Sequence, residues 1–328
     1  MAVTPRLANK WLGELTNMAR IIQFLRKREV IGLNDPHQDK DVNVFDYLKL
    51  LAKELVNDEY LEKLYPNLLA ESFLSELEKT IGSFESGRSG NIVGLDWIDN
   101  ELGNPFCIFS HLKFINFIRL CKATNPDFGL HLSIGVNLIR SVTMDTTEYS
   151  KTQLAFYLHL LIVMEGIKLT HKKLETVGPR MRLTLGHSFI QEALTSNDRK
   201  SPFAPHMEDF LSFLSGSNIV CEIDPSILEG REFGSQVVDF FLKWNVSIIL
   251  KTDTCLNEKC SPHNRHEGPA ALFCSAIYSD GISSKDELER LLENSKRAKF
   301  SRDEHMKGDS ENPAVDSALD SVVEKSGY

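Results

Sequence analysis

The sequence predicts an α/β protein in which a parallel sheet is covered by helices and preceded by a helical N-terminal region. Two observations lead there. Residues 1–82 carry apolar positions at three-or-four spacing, the period of a helix. From residue 91 onward, short β-prone runs alternate with helical segments, and each strand-to-strand step is long enough for a βαβ unit. Such alternation specifies parallel strands joined by helical crossovers.

The first stripe is Leu7, Trp11, Leu15, Met18, Ile22 and Leu25, and the stretch 5–28 is basic as well as amphipathic. Such a segment shares features with a mitochondrial transit peptide, but Glu14 and the lack of serines argue against one. Gly, Pro, Asn and Asp break the pattern over 30–43, and Glu29–Leu33 is the one short β candidate of this region. Leu48, Leu51 and Leu55 open a second stripe, and Leu68, Leu69, Phe73, Leu77 and Ile81 make a third. Residues 83–90, within a Gly/Ser-rich stretch, predict a flexible linker.

The strand candidates are Asn91–Asp96, Phe128–Gly135, Arg180–Gly186, Asn218–Ile223 and Val246–Asp253. Helices are expected near 107–122, 152–168, 206–215 and 232–244, and again within 268–300. The polar, Asp/Glu/Ser/Lys-rich stretch 301–328 predicts a disordered tail.

Composition narrows the class. The 328 residues are 42% hydrophobic and 25% charged, ordinary for a soluble protein with a real core. A formal net charge of −9 argues against general nucleic-acid binding. No apolar run reaches about eighteen residues, so no membrane span is expected. Six cysteines in a chain of this length predict reduced thiols and a cytoplasmic location.

Each β-prone run ends in polar residues, and the ends form an ordered series. Leu95-Asp96-Trp97-Ile98-Asp99-Asn100-Glu101 is similar to the aspartate-to-glutamate segment of adenosine and AMP deaminases. Leu130–Asn137 sits where that family has His-x-Gly-Glu, Leu185-Gly186-His187-Ser188 resembles its Gly-His motif, and Cys221–Ser226 resembles Glu-Ile-Cys-Pro-x-Ser. Lys251–Thr254 stands where the family ends a strand in Asp-Asp, and Gly281–Phe300 resembles its terminal helix with Asn294-Ser295 and Phe300. Over residues 91–300 the chain therefore resembles a deaminase barrel. That resemblance implies an incomplete or degenerate (β/α)8 TIM-type barrel whose chemistry sits at the carboxyl ends of the strands.

The family hydrolyses a purine 6-amino group with a metal-activated water, the metal being held by three histidines and an aspartate. Two of those histidines come from a His-x-His on the first barrel strand, and this chain contains no His-x-His. If Gly135 is the motif glycine, the third ligand falls on Ser133 and the proton-handling glutamate on Val136; the alternative register puts His131 on the ligand and Ile134 on the glutamate. In both, an aliphatic side chain replaces the acid, and it cannot exchange protons. The resemblance leaves Asp253 and His131 as remnant metal positions and His187 as the water-steering histidine, which also reads as a structural histidine. Asp96, Asp99 and Glu101 fall on the substrate segment, with Asp99 replacing a glycine that touches the purine. Glu222 and Asp224 read as solvated rim residues, and Trp97 as core.

A separate constellation, Cys255, Cys260, His263 and His266, has the ligand types of a structural zinc site, although its spacing is tight. Together these residues predict a deaminase-like pseudoenzyme without a cofactor. It would act by association with itself or with an active deaminase paralogue, or by holding a purine nucleoside or nucleotide. The alternatives are a zinc-dependent purine deaminase whose missing ligands come from elsewhere, and a protein-interaction scaffold. Five strands leave two sheet edges that the N-terminal helices or a second chain would cover.

Overall fold

A computed structural model describes residues 44–85, 94–97, 107–135, 151–175, 180–197, 201, 203–223, 231–250 and 285–298. Residues 1–43, the candidate strand Glu29–Leu33 and the tail 301–328 lie outside them.

Among the described residues three helices come first: α1 (Val44–Leu55), α2 (Asp58–Leu64) and α3 (Glu71–Glu85). In α1, Phe45, Leu48, Leu51, Ala52 and Leu55 are buried, as the three-or-four spacing requires. Asn57 starts α2 by accepting a hydrogen bond from the Glu59 backbone N–H at 3.0 Å. Helix α3 continues to Glu85, so the expected linker does not begin at residue 83. Gly82 and Ser83 lie in the last turn of the helix.

Strands β1 (Gly94–Trp97), β2 (Gly129–Ile134), β3 (Arg180–Leu185), β4 (Val220–Ile223) and β5 (Ile248–Leu250) form one parallel sheet in the order β1-β2-β3-β4-β5. Each strand lies beside its predecessor, so the sheet is wound in one direction. The crossovers hold α4 (Leu112–Thr124) after a 3-10 turn at Ile108–Ser110, then α5 (Lys151–Leu174), then α6 (His187–Asn197) with α7 (Ala204–Gly216), then α8 (Arg231–Lys243). Helix α6 has no counterpart in the sequence reading, which took Gly186-His187-Ser188 as a strand-end motif. Its Phe189, Ile190 and Ala193 are buried, which supplies the missing reason for the helix. Helix α9 (Lys285–Ala298) closes the described chain and is tied to β5 by Asn294 Nδ2 donating to the Ile248 carbonyl at 3.1 Å.

Strand alternation decides where the core lies. Leu130, Leu132 and Ile134 of β2, Met181, Leu183 and Leu185 of β3, Cys221 and Ile223 of β4 and Ile248 of β5 share one face and enter the main core. Helix α5 packs there, and nearly all of its residues from Phe156 to Ile167 are buried. The opposite face carries Asp96, His131, Ser133, Arg182, Thr184 and Glu222, with Val220 and Ile249 joining Ala298 of α9 in a small separate cluster. Parallel sheets are usually apolar on both faces. A polar face is the departure that locates the site. Cys107, Cys121 and Cys221 are buried thiols outside any disulfide, and among the described residues no helix is long and apolar enough to cross a membrane.

Candidate functional site

The sheet register assembles the polar residues. Asp96 pairs with His131 and His131 with Arg182, while Ser133 pairs with Thr184 and Thr184 with Glu222. Because side chains alternate along a strand, all six project from one face within two rows.

His131 is the centre. It is 2% exposed, and each ring nitrogen meets a carboxylate. Nδ1 lies 3.4 Å from Asp96 Oδ1 on β1, and Nε2 lies 3.0 Å from Glu222 Oε2 on β4. Thr184 sits between the two, with Oγ1 2.9 Å from His131 Nε2 and its hydroxyl donating to Glu222 Oε2 at 3.2 Å. Arg182 Nη1 lies 3.1 Å from the other oxygen, Glu222 Oε1. One chain of polar contacts therefore crosses four strands.

Burial explains why the chain is complete. A carboxylate removed from water costs several kcal/mol unless hydrogen bonds and an opposite charge replace the water. Glu222 is 1% exposed and has an imidazole, a hydroxyl and a guanidinium around it. Its sequence reading as a solvated rim residue is corrected: it points to the polar face from the interior of β4. Burial disfavours the charged form of His131, but the hydrogen bonds to Asp96 and Glu222, with the Glu222 charge, outweigh it against Arg182 and raise its pKa above the ordinary 6.5. The Asp96 side chain is 61% exposed, so the β1 end of the chain of contacts opens to solvent.

The strand ends above this row are held by a close approach. Gly135 follows β2 with φ +72°, and a Cβ there would stand 2.6 Å from the Phe189 backbone nitrogen in α6. The Gly186 N–H donates to the Ile134 carbonyl at 2.8 Å. His187 is the first residue of α6 and is exposed, outside the buried row.

Of the residues expected at a site, the structure brings Asp96 and His131 together and leaves His187 apart. Asp99, Glu101, Asp253, Cys255, Cys260, His263 and His266 lie outside the described residues, as does Asp224. Arg182 and Thr184 were not anticipated. The strict alternation of Arg180-Met181-Arg182-Leu183-Thr184-Leu185 was the signal that would have found them, since it puts three polar side chains on the face of His131.

Among the described residues, Asp96, His131 and Glu222 are not arranged to hold the catalytic metal that the deaminase resemblance implies. Asp96 and Glu222 address opposite edges of the imidazole, so they do not converge with it on one ion, and Arg182 already neutralises Glu222. Among the described residues no group of three or more His, Cys, Asp or Glu is arranged to hold a metal ion. No family model matches the chain, and neither does a curated protein or a solved structure.

Proposed function

We propose that this chain is a deaminase-like pseudoenzyme that holds a purine nucleoside or nucleotide, or a partner, without hydrolysing an aminopurine. The observation that carries the reading is the engagement of both His131 nitrogens by carboxylates. An imidazole flanked on both sides in that way offers neither nitrogen freely to a cation or to a substrate proton, and in its protonated form it carries no lone pair at all. The aliphatic Ile134 or Val136 at the glutamate position points the same way.

Within this reading the sheet is the described part of an incomplete (β/α)8 barrel, and its polar face is the interior. The one-directional strand order and the segregation of polar side chains to a single face support it. The open Asp96 end would accept hydrogen bonds from a purine amino group or a ribose hydroxyl. Association with a second copy or with an active deaminase would cover the sheet edges and bring the protein's effect onto the partner.

The test is a calorimetric titration of the full chain with adenosine, AMP, inosine and IMP, together with an ammonia-release assay and metal analysis. The reading expects binding of at least one purine, weakened by Asp96→Ala, with no ammonia above background. Ammonia release with stoichiometric zinc, lost on chelation, would establish the zinc-dependent deaminase instead. No purine binding, with a stable complex in light scattering, would favour the scaffold.

A further inference from the structure

Outside the polar face, the molecule carries a surface groove of about 320 Å3 between α3 and α4. Its walls repeat helical spacing. Glu71, Leu74 and Glu78 come from α3, and Asn116, Phe117 and Leu120 from α4. The apolar stripe of α3 is only half covered: Phe73, Leu74 and Leu77 are each partly exposed, and on α4 Leu112 is 46% and Leu120 52% exposed. Glu71 and Glu78 are exposed on the α3 wall, seven positions or two turns apart, whereas Lys113 of the opposite wall lies 3.5 Å from Glu62 of α2. The groove is therefore an apolar floor with an acidic rim.

The same chain contains a segment of opposite character. Residues 5–28 hold six basic residues against the single acid Glu14, in a protein of formal net charge −9. Their apolar stripe includes Met18, Ile22 and Leu25 at three-or-four spacing, and Arg26 and Arg28 flank it on either side at about 100° per residue. A helix laid in a two-turn groove uses such a triplet of anchors. Residues 29–43 join the segment to α1, and that length of chain reaches up to roughly 50 Å when extended. Helix α2, next after α1, already touches the groove wall through Glu62 and Lys113. Tethering raises the effective concentration of the segment at the groove to about the millimolar range, so modest contacts suffice.

We propose that residues 5–28 dock on the α3–α4 groove of their own chain. Met18, Ile22 and Leu25 cover Leu74 and Leu120, and Arg26 and Arg28 face Glu71 and Glu78.

Hydrogen exchange on the full chain tests this. In the parent protein, amides of 5–28 and of α3 and α4 are expected to exchange slowly together. In Glu71→Lys/Glu78→Lys the amides of 5–28 should exchange about tenfold faster. Arg26→Glu/Arg28→Glu should do the same without touching the folded body, and combining the four changes should restore protection. Strands β2 and β3 serve as the control, since Glu71 and Glu78 are exposed. Fast exchange of 5–28 in the parent protein, or protection indifferent to both charge reversals, overturns the proposal. Protection that disappears on dilution also overturns it, because the segment would then come from a second copy.

Discussion

Arg182 Nη1 stands 3.1 Å from Glu222 Oε1 across the β3–β4 pair, and that contact supplies a permanent positive charge beside a carboxylate that is 1% exposed. Replacing Arg182 by leucine keeps most of the volume and removes the charge. Glu222 would retain His131 and Thr184, so the loss is smaller than for a fully stranded charge, about 2 kcal/mol of unfolding free energy. Glu222→Gln in the same background should recover part of it, since an amide needs no counter-charge. Urea unfolding of the single and double variants measures both. Equal stability of Arg182→Leu and the parent would mean that the guanidinium contributes nothing to Glu222.

His131 gives the sheet a dependence on alkaline pH. Its folded-state pKa is raised above 6.5 by the Asp96 and Glu222 hydrogen bonds acting against burial. A raised pKa means that the folded state binds the proton more tightly than the unfolded chain. The stabilisation is full below 6.5 and declines as pH rises through the folded-state value. The difference in stability between the parent and His131→Gln should therefore shrink on going from mildly acidic to alkaline buffer. A difference that grows with pH would show the imidazole to be buried neutral.

Gly135 tests the junction between β2 and α6. Two penalties meet there: a φ of +72° and a Cβ placed 2.6 Å from Phe189 N and 2.7 Å from Phe189 Cβ. Gly135→Ala should cost about 2–3 kcal/mol. Gly135→Asn separates the two penalties, because asparagine tolerates the left-handed region but still carries the Cβ. Both variants are expected to be destabilised in thermal unfolding. An asparagine variant close to the parent would assign the whole effect to the backbone angle and none to the contact with Phe189.

The sheet was legible in the sequence because each strand is short, β-prone and separated from the next by a helix-length crossover. The register was not. Which residues stand side by side depends on how deep each strand sits against its neighbours, and no local spacing encodes that. Asp96 and His131 were found through a resemblance at strand ends, although the structure places His131 inside the sheet. Glu222 reads as a rim residue from sequence because it lies near the end of its strand, where solvent is expected. Alternation in Val220-Cys221-Glu222-Ile223 was the better guide, since it sets Glu222 opposite to the buried Cys221 and Ile223. Helix α6 was missed for a related reason: the glycine and histidine at its start masked the spacing of Phe189, Ile190 and Ala193.

Asp209 of α7 joins the helical N-terminal part to the α/β body, accepting hydrogen bonds from Lys49 of α1 at 2.9 Å and from Lys168 of α5. Burial opposes its ionisation, yet the two lysines hold its carboxyl at about 2, below the ordinary 3.8. A depressed carboxyl contributes its stability above the unfolded pKa and loses it as the proton returns. The contribution is therefore complete above 3.8 and is lost as pH falls towards 2. The Asp209 side chain is 51% exposed, so water and salt screen both ion pairs. Asp209→Asn should cost about 1 kcal/mol at neutral pH and low salt, partly through repulsion between the two lysines left facing each other. The cost should fall as salt rises and vanish in strong acid, where the parent carboxyl is itself neutral. Chemical unfolding of both proteins across pH and ionic strength measures it. A cost that persists unchanged in strong acid would show that Asp209 acts by packing rather than by charge.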